Sequence, residues 1–176
     1  MNNQTLVVFY SHTGTSRSVA QLLASQFGWQ SGEVSDRHPR IGTAGRFKCV
    51  ADSLLRRRPA IRYEGPDPQA FGSVVFVAPV WVSRMAGPMR TFIHAQAAGL
   101  KRVAVISVMG GSGATHAAAE TGHLLGRAPP LSTSFTARDV QDGSYAPRLA
   151  AFGRAVQATS DHWPIVHPAS WSTSAV

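Results

Sequence analysis

The chain has 176 residues, 44% of them apolar and 15% charged, with a formal net charge of +8 and a single cysteine. That length suits one domain with a sizeable core, expected over residues 1–160, with a patternless tail at 161–176. The lone Cys49 excludes an internal disulfide and a cysteine cage for a metal. The longest apolar run, Val74 to Val82, is about half the length of a membrane-spanning helix, and the opening Met-Asn-Asn-Gln-Thr lacks a charged n-region. A cytoplasmic protein with no membrane span is expected. The positive field favours anionic ligands, acidic partners or anionic surfaces. Arg56, Arg57 and Arg58 form the only tight basic run, without interleaved aromatics or a reader motif, so nucleic acid is not the expected partner.

Thr5 to Tyr10 has no helical period and reads as a strand buried on both faces, after which Val19, Leu22, Leu23 and Phe27 repeat at helical spacing until Gly28. Ser11-His12-Thr13-Gly14-Thr15-Ser16 joins the two. Free backbone N–H groups, the positive end of a helix dipole and the hydroxyls of Ser11, Thr13, Thr15 and Ser16 converge there on a point that suits a phosphate. Glu33 to Ser35 is the place for a second strand, short and at an edge. Pro39 and Gly42 mark a loop before a helix with Phe47, Val50, Ala51, Leu54 and Leu55 on one face, ending before Pro59. Ile61 to Gly72, with Pro66 and Pro68, reads as a long connection.

Ser73 to Ala78 is a second continuous apolar strand. Pro79-Val80-Trp81-Val82-Ser83-Arg84-Met85-Ala86-Gly87 follows as a loop, and Pro88 opens a helix with Met89, Phe92, Ile93 and Ala97 inward, closed by Gly99. Arg102 to Val108 is the third strong strand, before Met109-Gly110-Gly111-Ser112-Gly113 and a helix from Thr115 to Leu125. Leu131 to Thr136 makes the final strand, and Pro147 opens a last helix with Leu149, Phe152 and Val156 inward.

Strands that alternate with helices and are apolar throughout imply a parallel sheet covered on both faces, and this length supports five strands. Ligands of such sheets sit beyond the carboxyl ends of the strands. The loops at Ser11 to Ser16, Pro79 to Gly87 and Met109 to Gly113 all follow strands, so all three fall on that edge. Alone, the first loop is equally an ordinary capped helix start; together the three favour a ligand site.

These residues resemble the flavodoxin-like family of FMN-binding proteins. Ser11-His12-Thr13-Gly14-Thr15-Ser16 is similar to that family's phosphate-binding turn, Pro79-Val80-Trp81 with Gly87-Pro88 to its first flavin-flanking loop, and the Gly-rich loop after Val108 to its second. The resemblance spans roughly Thr5 to Ala158. It implies an α/β three-layer sandwich with a five-stranded parallel sheet in the order 2-1-3-4-5. It further implies that Ser11, His12, Thr13, Gly14, Thr15 and Ser16 hold the FMN phosphate, Gly14 allowing close approach and a positive φ. Pro79, Val80, Trp81, Val82 and Arg84 would flank the isoalloxazine ring on one side, and Met109, Gly110, Gly111 and Gly113 on the other. Trp81 would stack on the ring, an aromatic pair contributing about 0.5–1.5 kcal/mol beyond area burial. The Gly-rich loop brings no aromatic, which leaves the opposite face to a substrate, the tail or a second subunit of a homo-oligomer.

Electron-carrier flavodoxins are usually acidic, whereas this chain is basic. Arg84 at ~5 Å from a reduced ring would stabilise its charge by about 3 kcal/mol at an effective dielectric of 20. The expected function is therefore an FMN-dependent oxidoreductase passing electrons from NADH or NADPH to a quinone-like or other small acceptor, with no catalytic residue assigned. A single-electron carrier for an acidic redox partner protein is the first alternative. A small serine hydrolase is the second: Gly110-Gly111-Ser112-Gly113-Ala114 approaches a nucleophile elbow, followed in order by Asp139 or Asp142 and then His162. A non-catalytic module with an empty flavin pocket is the third. His116 and His123 stand seven apart on one helix face, but no carboxylate or thiolate completes a set and no metal is expected.

Overall fold

A computed structural model describes residues 4–37, 59–81, 83–110, 114–127 and 131–161. The central strand β1 (Thr5–Tyr10) is buried at every position. It pairs in parallel with β2 (Gln30–Asp36) on one side and β4 (Ser73–Trp81) on the other; β4 pairs in parallel with β6 (Arg102–Met109), and β6 with β7 (Leu131–Thr136). Helix α1 (Thr15–Phe27) connects β1 to β2, α2 (Gly87–Gln96) precedes β6, and α3 (Ala114–Leu125) connects β6 to β7. The short α4 (Ala137–Asp142) and α5 (Ala146–Asp161) follow β7.

Period-2 alternation divides the core into two halves. Val7, Phe9, Val75, Val77 and Ile106 project onto Val19 and Leu23 of α1 and Leu149 and Phe152 of α5. Leu6, Val8, Val74, Phe76 and Val105 project the other way, onto Met89, Phe92 and Ile93 of α2 and Ala117 of α3. Each such fully buried side chain contributes about 1.5–3 kcal/mol relative to exposure. The result is three layers, helices over both faces of a sheet whose parallel strands run β2-β1-β4-β6-β7, which is the expected 2-1-3-4-5 order.

The sheet has seven strands rather than five, because two antiparallel segments join it. One is β3 (Ile61–Glu64), which pairs with β2 along Asp36↔Ile61 to Glu33↔Glu64. Read from sequence, this stretch belonged to a connection and β2 was a short edge strand; instead β2 is an interior strand of seven residues. Its polar sequence tolerates this because β1 and β3 satisfy its backbone on both sides. Gly32 also admits the Tyr63 ring, whose oxygen would lie 2.3 Å from a Cβ at that position.

The other added segment is β5 (Arg84–Met85), which folds back on Val80 and Trp81. Strand β4 thus continues three residues beyond Ala78 into the stretch read as loop. Pro79 is accommodated where β1 has already ended its pairing, at Phe9↔Val77, and the Pro79 carbonyl accepts the Ala86 N–H at 3.0 Å. The helix expected around Phe47 to Leu55, Cys49, the Arg56–Arg58 run and residues 162–176 of the tail lie outside the described residues. Among the described residues, no helix is long and apolar enough to cross a membrane.

Candidate functional site

Parallel pairing brings the carboxyl ends of β1, β4 and β6 to one edge, where an open cleft of about 340 Å³ is lined by three chain segments. The first is the turn from β1 into α1. Ser11 Oγ accepts the Gly14 N–H at 3.1 Å, and Gly14, the N-cap residue, takes φ 93. No side chain caps α1 and its first turn holds no acidic residue. The N–H groups of Thr15, Ser16 and Arg17 point out of the helix start without an intrahelical acceptor. Ser16 lines the cleft although it is only 2% exposed, and no described residue hydrogen-bonds its hydroxyl. Thr13 and Thr15 add hydroxyls 3.4 Å apart. Hydroxyls lining the cleft, free N–H groups and a positive dipole end at one point form a receptor for an oxyanion.

The second wall is Pro79, Val80 and Trp81 at the end of β4. The half-buried Trp81 meets the rings of Tyr10 and His12 edge-on, each at 6.1 Å between centroids. The Tyr10 hydroxyl in turn donates to Asp36 Oδ2 at 2.8 Å. Behind this wall the β4–β5 turn is tied to α3 by a single carboxylate. Glu120 Oε2 accepts the Met85 N–H at 3.1 Å, Oε1 accepts Arg90 Nη1 at 3.3 Å, and Arg84 Nη1 lies 3.9 Å from Oε1. The third wall is Val108, Met109 and Gly110 at the end of β6, joined by Ala137 at the start of α4.

Of the residues singled out from sequence, His12, Thr13, Thr15, Ser16, Pro79, Val80, Trp81, Met109 and Gly110 line the cleft together. Ser11 and Gly14 shape the turn rather than line it. Arg84 is directed to Glu120, so its charge is shared with a carboxylate instead of being presented bare to the cleft. Val82, Gly111, Ser112 and Gly113 lie outside the described residues. Sequence reasoning missed Val108, Ala137 and the Glu120 tie. Ala137 had a readable signal, because Thr136-x-x-Asp139 is a capping box: Thr136 Oγ1 accepts the Asp139 N–H at 3.1 Å and Asp139 Oδ2 accepts the Thr136 N–H at 2.8 Å. Glu120 had none, since its partners come from elements remote in sequence.

No family model matches the sequence, and no curated protein matches it. Solved structures do match in shape. A flavoprotein from Lactobacillus acidophilus NCFM, solved in complex with FMN, superposes with a TM-score of 0.63 at 17% identity, covering 81% of this chain and 99% of its own. The fold is flavodoxin-like. A flavodoxin, WrbA-like protein from Agrobacterium tumefaciens has a TM-score of 0.59 at 12% identity, over 92% of this chain and 100% of its own. An NAD(P)H:quinone oxidoreductase from Methanothermobacter marburgensis has a TM-score of 0.53 at 12% identity, over 95% and 100%. On this flavodoxin-like frame the arrangement can hold an anion at the start of α1 and a flat, largely apolar group along Trp81 and the Val108–Gly110 wall.

Proposed function

We propose that the cleft binds FMN and that the protein is an FMN-dependent oxidoreductase, taking electrons from NADH or NADPH and passing them to a quinone-like or other small acceptor. The observation that carries the ligand is an uncapped helix start with no acidic residue that places Ser16, with Thr13 and Thr15, in the lining of the cleft. The Thr13, Thr15 and Ser16 hydroxyls and the first-turn N–H groups would hold the phosphate, and Trp81 and the Val108–Gly110 wall the ring. FMN, when bound, supplies hydride or single-electron transfer. The flavoprotein from Lactobacillus acidophilus, solved with FMN on this fold, supports the choice of ligand.

The chain's own contribution to the chemistry is electrostatic. No carboxylate lines the cleft among the described residues, and behind its Trp81 wall two guanidiniums, Arg84 and Arg90, share the one carboxylate of Glu120. Such surroundings do not penalise added negative charge on a ring as an acidic site does, which favours paired-electron transfer over low-potential shuttling. The quinone oxidoreductase on the same fold supports this choice. A single-electron carrier is the second reading, in which the net charge of +8 would call for an acidic partner, unlike the usually acidic electron-carrier flavodoxins. The hydrolase reading loses one candidate acid, since the Asp139 carboxylate is committed to its capping box.

Addition of FMN to purified protein is expected to quench flavin fluorescence, and NADH or NADPH with a quinone is expected to support turnover. A potentiometric titration should show one two-electron step. Tight FMN binding with no turnover on either nucleotide and two well-separated one-electron steps would establish the carrier instead. Absence of FMN binding would leave a module with an empty pocket.

A further inference from the structure

Strand β1 ends at Tyr10, whose side chain reaches both neighbouring strands at once. Its ring stands perpendicular to that of Trp81, at the end of β4, with 6.1 Å between centroids and 86° between planes. Its hydroxyl donates to Asp36 Oδ2, at the end of β2, at 2.8 Å. The register explains this reach, because Tyr10 pairs with Val34 and Asp36 follows two positions later on the same face. The Asp36 backbone is held in turn from its far side, by pairing with Ile61 of β3 and by the Arg37 N–H, which donates to the Ala60 carbonyl at 3.1 Å. Tyr10 is buried, and a hydroxyl donating to a carboxylate makes a stronger and shorter hydrogen bond than a neutral pair does. The Tyr10 ring is thus fixed at its hydroxyl end. Trp81 is only half-buried and lines the cleft, and His12, the other ring that meets it, is also partly exposed. Tyr10 is the buried member of the pair that brackets Trp81.

We propose that Tyr10 and Asp36 are positioning residues of the flavin site, which together hold the Trp81 indole in place before the ligand arrives. This rests on the FMN reading above. Neither residue lines the cleft, so both act only through Trp81. A side chain that must be immobilised on binding lowers affinity, by an amount equivalent to about fivefold for one large side chain, and a side chain held beforehand avoids that loss. Supporting hydrogen bonds of this kind give a binding wall its precision. The antiparallel β3 thereby bears on the cleft, through Asp36, Tyr10 and Trp81 in turn.

The test is a double-mutant cycle on the full-length apoprotein, read by titration with FMN and flavin fluorescence. Tyr10→Phe keeps the buried ring and removes only its hydroxyl, while Asp36→Ala removes the acceptor and leaves the ring untouched. Each is made alone and together with Trp81→Ala. Each alone is expected to weaken FMN binding about fivefold, and each is expected to change it by less than about twofold once Trp81→Ala has removed the indole. Bound flavin should also be less quenched in Tyr10→Phe than in the parent, because a looser indole stacks less. Equal losses with and without the indole overturn the positioning role, since a general loosening of the sheet does not depend on Trp81. Unchanged affinity in either Tyr10→Phe or Asp36→Ala overturns it too. A Trp81→Ala variant that binds FMN as tightly as the parent overturns the inference while leaving the FMN reading intact, and failure of the parent to bind FMN overturns both.

Discussion

Two glycines at the cleft have different physical reasons for being glycine, and substitution separates them. Gly14 takes φ 93 with nothing within 4 Å of where a Cβ would stand, so its requirement is conformational. Gly14→Ala is expected to cost about 1–2 kcal/mol of stability from the left-handed backbone alone, read as a lowered urea midpoint. Gly110 has neither a positive φ nor a neighbour within 4 Å, but it lines the cleft. Its methyl would take up cleft space in which the proposed FMN ring would lie. Gly110→Ala is therefore expected to leave the urea midpoint within about 0.5 kcal/mol of the parent and to weaken FMN binding by about 1–3 kcal/mol. Equal FMN affinity in parent and Gly110→Ala would show that the ring does not reach the end of β6.

Glu120 couples three elements around the second wall. Its carboxylate holds the β5 backbone, faces Arg90 in the first turn of α2 and draws in Arg84. The Arg90 side chain is only 5% exposed, so loss of Glu120 removes a carboxylate that offsets the charge of a desolvated guanidinium. Glu120→Ala is expected to destabilise the fold by about 3 kcal/mol. Glu120→Gln, which keeps an acceptor for the Met85 N–H, should lose less. A thermal midpoint of Glu120→Ala matching the parent's would sink this role. The tie also marks where the sequence stops being readable. Hydrophobic periodicity located β1, α1, β4, β6, α3, β7 and α5 to within a few residues, because apolar side chains repeat there with the period of the element that buries them. β3 and the full length of β2 were not readable, since both depend on Tyr63 packing over Gly32 and on pairing between segments 24 or more residues apart. The short β5 depends likewise on a turn at Ser83, a non-glycine residue at φ 58.

At the scale of the whole molecule, one edge of the sheet carries the cleft while the β2 side is closed by β3. Loop order along the chain made the first feature legible; the second arises only from tertiary contact. Tyr63 is the fastening of that closed side. Its ring packs on Phe92 of α2 at 4.7 Å between centroids, and its hydroxyl donates to the Pro66 carbonyl at 2.7 Å. Burial, with a smaller contribution from the Asp67 charge, raises its pKa from 10.0 to about 12. The unfolded chain thus sheds this proton near pH 10 while the folded chain keeps it until about pH 12, so the folded state binds more protons across that window. Stability consequently falls as pH rises from 10 to 12. Because the ring is partly exposed, solvent screening reduces the loss to about 1 kcal/mol. Burial raises the pKa of Tyr145 as well, adding a contribution of the same sign. Tyr63→Phe removes one hydrogen bond and should cost about 1 kcal/mol at pH 7, yet its urea midpoint should decline less steeply than the parent's above pH 10. Parallel declines in the two proteins would mean that the β3 edge is not where alkaline unfolding begins.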